Sequence, residues 1–298
     1  MHKVRNVMLA VAVTGLIMAC GLGSAPSGVN SNVATIVAAT IQALTPPAPA
    51  ATQALQATAP EGIPVNYRNV RFVIPIGLAT DAVPELVPVA TEDNGGPWDA
   101  APEHIRFRLD NYSAPANSFS VNRIDVYPAD AYASANAGAN ISLQRLKGVL
   151  GNPSASLTNT TLPQVPYFNA ASMFVAQIHR IHFMDGDGVR TITQYGQAVG
   201  PVTNGGIFYH FQGLTSDGKY YVVAVLPVQL PYLQNGSEPN AQAPAGGIPF
   251  PGNNFNNASQ YEQYFKAISD KLDGTDSSVF QPPLSQLDTL MQSFQVTP

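Results

Sequence analysis

The sequence predicts an α+β fold in which an antiparallel β-sheet containing a four-strand meander is flanked by helices. Residues 172–228 contain four successive strand candidates separated by short turns. Helical patterns occur before and after this region rather than between its strands. This segregation of strands from helices is typical of α+β domains and not of alternating α/β domains.

The meander is the clearest local pattern. Residues 172–184 run into Asp185-Gly186-Asp187-Gly188, which predicts a hairpin turn at 185–188. Three further strands are predicted, with turns at 201–206 and 215–218 between them; they cover 189–199, 207–214 and 219–228.

Three earlier strands and three helices complete the prediction. The strands cover 67–74, 104–112 and 123–127; in the second, apolar residues alternate with arginines, as in a half-exposed strand. The helices cover 129–150, 259–272 and 284–294. The first follows Pro128, the second has polar residues Asn257 and Ser259 at its start, and the third carries an apolar stripe after Pro283. This order of elements, with its closing amphipathic helix, resembles the Mog1/PsbP-like sandwich, and the resemblance implies a fold but no function.

Charge and cysteine content exclude several classes of function. The chain has 14 basic and 19 acidic residues among 298, a net charge of −5, and one cysteine. A nucleic-acid partner is not expected, because such binding needs clustered basic residues. A disulfide framework or a multi-cysteine zinc site is excluded by the single cysteine.

The first twenty residues predict export. Lys3 and Arg5 precede an uncharged, mostly apolar run at 7–19, which has the length of a signal peptide. The run ends in Leu16-Ile17-Met18-Ala19-Cys20, which resembles the lipobox of bacterial lipoproteins. The resemblance implies that 1–19 is a signal peptide cut before Cys20, that the Cys20 thiol carries a diacylglyceryl group, and that the new N-terminus can be acylated.

A tether is predicted to follow. Residues 21–60 carry no charge, and 1–60 contain no aromatic residue. An Ala-, Pro- and Thr-rich segment of this kind cannot bury enough apolar surface to fold. We therefore expect a lipidated Cys20, a disordered tether at 20–60, and one extracytoplasmic domain at 61–298, held to the bacterial cell membrane or outer membrane.

The histidines do not predict a metal centre. His179 and His182 are three apart in a strand, so their side chains point to opposite sides. We expect two sheet histidines and no shared metal. His210, on the third meander strand, remains a residue that could approach one of them.

Two loops contain the candidate contact residues. Trp98, the sole tryptophan, lies in a Gly/Pro-rich loop at 75–102, among four carboxylates that could bind calcium or simply be solvated. The loop at 231–257 offers Tyr232, Phe250 and Phe255 as residues that could stack on a ligand or a partner, although a mobile insertion is the simpler interpretation. The Asp185–Gly188 run resembles the start of a calcium loop but enters a strand, which favours a turn.

No catalytic signature is present, and no cofactor or metal is predicted. The primary hypothesis is a membrane-anchored bacterial lipoprotein with a non-catalytic binding or assembly role at the cell envelope. Its expected partner is an envelope protein or a small ligand. The first alternative is a solute-binding module for a small apolar or carbohydrate ligand, in a cleft lined by the meander and the 231–257 loop. The second is an unrecognised extracellular hydrolase.

Overall fold

The computed structural model of the chain describes residues 61–113, 118–252 and 258–298, which contain ten strands and four α-helices. The strands are β1 (Gly62–Tyr67), β2 (Val70–Pro75), β3 (Asp81–Val87), β4 (His104–Asp110), β5 (Arg123–Pro128), β6 (Ala171–Phe183), β7 (Gly186–Gly196), β8 (Ile207–Thr215), β9 (Tyr220–Pro227) and β10 (Gln295–Val296). The helices are α1 (Ala129–Ala135), α2 (Ala137–Gly151), α3 (Ala258–Asp273) and α4 (Leu284–Gln292).

Two antiparallel sheets organise these elements. The larger has seven strands in the order β3-β4-β5-β9-β8-β7-β6, and the smaller has three in the order β1-β2-β10. Strands β6 to β9 pair successively with their neighbours, so the four-strand meander is confirmed. The α+β class is confirmed as well, with the helices grouped before and after the meander.

The central strands of the seven-stranded sheet are buried on both faces. Strand β9 shows this directly, because Val222, Ala224 and Leu226 belong to one apolar cluster while Tyr221 and Val223 belong to another. The first cluster also includes side chains of α3, α4 and the small sheet; we call this side of the large sheet the first face. The second cluster is closed by α1 and α2, and we call that side the second face.

Two strand predictions need correction. The single strand predicted at 67–74 is instead a hairpin, in which Arg68 adopts a left-handed φ of 53° and Tyr67 pairs with Val70. Strand β3 lies within the loop predicted at 75–102. It contains Pro84, which cannot donate to a ladder and is tolerated here because β3 is an edge strand.

The turn predicted at 185–188 also lies elsewhere. Residues 184 and 185 form the turn, and Gly186 is already paired with Phe183. A Cβ on Gly186 would collide with the Phe183 ring, and one on Gly188 with the Phe211 ring. These two glycines are therefore explained by close packing inside a strand.

The helix predicted at 129–150 is interrupted at Asn136. This residue has an extended backbone, with φ −138° and ψ 117°, and its Oδ1 accepts from the Ala139 N–H at 2.9 Å as the N-cap of α2. Its Nδ2 donates to the carbonyls of Trp98 and Ala100 at 3.1 and 3.0 Å. One buried amide thus starts a helix and holds the loop before β4.

We predict that Asn136→Ala lowers the free energy of unfolding by about 3 kcal/mol, because it removes the cap and leaves buried carbonyls without a donor. Chemical denaturation followed by far-ultraviolet circular dichroism measures the change. Asn140→Ala, an exposed position on the same helix, should change stability by less than about 0.5 kcal/mol. Equal effects of the two substitutions would contradict the assigned role.

Candidate functional site

A pocket of about 650 Å³ opens beside the second face of the large sheet. Strands β4, β5, β7 and β9 contribute to it, together with the segments 119–121 and 167–170. Its lining combines aromatic rings with two guanidinium groups and several uncharged polar groups: Arg108, Phe119, Ser120, Val121, Arg123, Tyr167, Phe168, Asn169, Ala170, Tyr195, Gly196, Gln197 and Val225.

A buried carboxylate fixes one wall of this pocket. Asp125 is 0 % exposed, and its Oδ1 accepts from Arg106 Nε at 2.7 Å. Arg123 Nε lies 3.0 Å from Asp125 Oδ2, a charge contact without hydrogen-bond geometry. The Arg123 guanidinium in turn lies over the Tyr167 ring, 3.3 Å from its centroid, a cation–π contact that orients the ring at the pocket.

His104 lies beside Asp125 and Arg106, and its ring is neutral. Its Nδ1 donates to the Pro102 carbonyl at 2.8 Å, and its Nε2 faces Arg106 Nη2 at 3.4 Å as an acceptor. Burial lowers the pKa of His104, and this effect outweighs the attraction of Asp125, 3.7 Å away. The carboxylate is therefore balanced by two arginines rather than by an imidazolium.

A second wall depends on the side-chain amides of Gln164 and Gln212. The Tyr195 hydroxyl donates to Gln164 Oε1 and accepts from the Val165 N–H, both at 2.9 Å. The Gln164 carbonyl accepts from Gln212 Nε2 at 2.7 Å. The Tyr195 ring meets Phe168 in an edge-on contact with centroids 5.3 Å apart, so its orientation at the pocket is set from both sides.

Gln212 also determines the protonation of His210. Its Nε2 lies 2.8 Å from His210 Nε2, and its Oε1 accepts from the Tyr221 hydroxyl. Because an amide nitrogen can only donate, His210 Nε2 must be the unprotonated, accepting nitrogen. Burial lowers the pKa of His210 to about 3, in agreement with a neutral ring.

The candidate contact residues from the two loops do not line this pocket. Trp98 is 37 % exposed, while Phe250 is 9 % exposed and packs against Tyr261 and Tyr264. Tyr232 is half-buried, and its hydroxyl lies 2.7 Å from Thr275 Oγ1. Phe255 and Cys20 lie outside the described residues.

The histidines of β6 are separated by the sheet. His179 shares the first face with Ile181 and Phe183, whereas His182 points the other way, its Nδ1 2.9 Å from Asp187 Oδ1 on the exposed hairpin. His210 lies on the second face, beside Phe208 and Tyr195. Within the described part of the chain, no three His, Cys, Asp or Glu side chains are grouped to hold a metal ion, and this includes the acidic residues around Trp98.

Sequence reasoning missed the pocket although one signal for it was present. The alternation in β4 places Arg106 and Arg108 on one face of a strand, and Arg123 lies on the adjacent strand. The aromatic walls come from segments far apart in sequence, and no short-range pattern links Tyr167 with Tyr195.

Comparisons with protein-family models, with curated proteins and with solved structures yield no match for this chain. Among the described residues, no helix has both the length and the apolar character needed to cross a membrane.

We predict that stability falls as pH decreases from about 6.5 towards 4, with His210 responsible for part of the fall. The unfolded chain protonates this histidine near its ordinary pKa of about 6.5, whereas the folded chain keeps it neutral to about 3. Each pH unit in that window therefore costs up to about 1.4 kcal/mol.

His210→Gln, which retains an acceptor for Gln212, should flatten the profile of unfolding free energy against pH between 6 and 4. His104 has a lowered pKa too, so some dependence remains. His182→Gln, on the exposed hairpin, serves as the matched control. A His210→Gln profile parallel to that of the unsubstituted chain would refute the prediction.

Proposed function

We propose that this chain is a lipid-anchored extracytoplasmic protein of a bacterial envelope whose folded domain binds a small organic molecule without chemical conversion. The pocket on the second face carries this proposal. Ligand sites generally measure about 300–1,000 Å³ and combine apolar walls with a few converging polar groups. The pocket has that size and that combination, and this favours binding of a small molecule over a purely structural or assembly role. The 231–257 loop, which was expected to line the cleft, contributes no described residue to this pocket.

The walls are held in place by the protein itself. Tyr167 is oriented by Arg123, and Tyr195 by Gln164 and Val165. A pocket whose rings are already oriented loses less conformational entropy when a ligand enters. The Ser120 hydroxyl adds a buried polar group for which no described residue is a hydrogen-bond partner, and a ligand can supply that partner.

The chemistry of the lining favours binding over hydrolysis. Its described residues include no His, Cys, Asp, Glu or Lys, and its one aliphatic hydroxyl, Ser120, has no general base beside it. Nucleophilic hydrolysis needs such a base within hydrogen-bond reach. The His182–Asp187 pair lies on the exposed hairpin and not in this pocket.

The envelope location rests on the sequence. The basic start, the apolar run at 7–19 and Cys20 at its end agree with a lipoprotein signal. Two or three acyl chains on Cys20 anchor a protein stably, since each buried CH₂ contributes about 0.8 kcal/mol. The uncharged segment at 21–60 would then act as the spacer between membrane and domain.

Filling the pocket tests the binding function. Ala170→Trp places an indole against the pocket lining. We predict that this substitution abolishes the binding of 2-naphthoate and of 2-naphthamide to the detergent-solubilised full chain. Saturation-transfer NMR measures the binding. These fragments should bind the unsubstituted chain with dissociation constants on the order of 0.1–1 mM. Ala241→Trp, at an exposed site in another loop, should leave binding unchanged. Absence of binding to the unsubstituted chain, or equal binding to all three chains, would count against the function.

Substitution of Cys20 tests the anchor. In a bacterial host, Cys20→Ser should prevent the addition of diacylglycerol, so the intact mass loses the lipid increment and the protein leaves the membrane fraction or remains unprocessed. Mass spectrometry and fractionation measure both effects. An unchanged mass and an unchanged membrane fraction in the substituted protein would overturn the lipoprotein assignment.

A further inference from the structure

We infer that the ligand of this pocket is an organic anion, in which a carboxylate or similar group on an apolar, planar body is met by Arg108. The inference rests on the proposed binding function and names its ligand class. The described pocket lining contains two arginines and no carboxylate side chain.

The described pocket lining is positively charged, although the whole chain has a net negative charge. The chain has only 14 Lys and Arg residues and a net charge of −5. Three of the 14, Arg106, Arg108 and Arg123, lie on the adjacent strands β4 and β5. The same two strands carry Asp110 and Asp125, so β4 and β5 together keep one net positive charge. On β3, Asp81 lies opposite Asp110 and Glu85 lies opposite Arg106.

Arg108 is the guanidinium available to a ligand. Arg123 is held by Asp125 and by the Tyr167 ring, and Arg106 is held by Asp125. Arg108 is exposed, and its side chain forms no ion pair or hydrogen bond with a described residue. An arginine in this situation matches the planar geometry of a carboxylate or sulfonate with paired N–H donors.

The remainder of the pocket suits an apolar body. Phe168 and Tyr195 offer ring surfaces set at 69° to one another, and Val225 adds an aliphatic wall. Phe119 and Val121, 81 % and 58 % exposed, lie at the same pocket as uncovered apolar surface. The buried Ser120 hydroxyl can donate a second hydrogen bond to the anionic group or to a polar substituent.

The paired probes 2-naphthoate and 2-naphthamide test the inference, because they share a ring system and differ in charge. At low ionic strength the detergent-solubilised full chain should bind the naphthoate about fivefold more tightly than the naphthamide, the factor expected for one partly exposed charge pair. Added salt should reduce the preference.

Three variants test whether Arg108 is the positive charge that causes the naphthoate preference. Arg108→Gln should abolish the preference for the naphthoate over the naphthamide, because both probes then meet an uncharged side chain, and Arg108→Lys should retain most of that preference. Lys147→Gln removes one positive charge from an exposed position on α2 outside the pocket lining and should keep the full preference.

The outcomes separate this inference from the binding function. Binding of both probes with equal affinity, blocked by Ala170→Trp, would refute an anionic ligand and leave the binding function standing. Binding of neither probe would count against the function itself. A naphthoate preference that survives Arg108→Gln would refute the role of Arg108.

Discussion

The buried carboxylate of Asp125 is the interaction on which the second face of the sheet depends. An ion with no solvent exposure costs several kcal/mol unless other charges and donors compensate it, and removing one partner of such a group leaves the rest uncompensated. The compensating charges come from Arg106 on β4 and Arg123 on β5, so the positions of these two side chains are constrained by Asp125. Through Arg123 the constraint extends to Tyr167, which is a wall of the pocket.

The first face follows the same physical rule. Arg190, 2 % exposed, contacts both carboxylate oxygens of Asp288 at 3.1 Å, and the Tyr209 hydroxyl donates to the same group at 3.0 Å. Arg190 also donates to the carbonyl of Gln177, a residue of left-handed φ at a bulge in β6. The Gln177 side chain in turn donates to the Leu272 carbonyl at the end of α3. Buried Arg190 thus contacts α4 directly through Asp288 and reaches α3 through the uncharged Gln177 side chain.

The sequence predicted the elements that have a clear short-range periodicity, and it predicted few of the contacts between distant segments. The meander strands and the helices at 258–273 and 284–292 follow from apolar spacing and turn residues, which act locally. Strand β3 was missed because Pro84 disfavours strands except at an edge, and edge position is a property of the sheet. Phe250 and Tyr232 were singled out by residue type, which does not distinguish a ring that packs in the core from one that meets a ligand.

The two walls of the pocket are supported independently, and this bears on how the site would work. Tyr167 depends on the Arg123–Asp125 pair, whereas Tyr195 depends on the amides of Gln164 and Gln212 and, through them, on neutral His210. Neither support requires a ligand, so the rings are oriented before binding. Arg108 differs because its side chain is exposed and forms no ion pair or hydrogen bond with a described residue. Under the proposed function, the oriented rings would meet the apolar body of a ligand and the Arg108 charge would select its polar end.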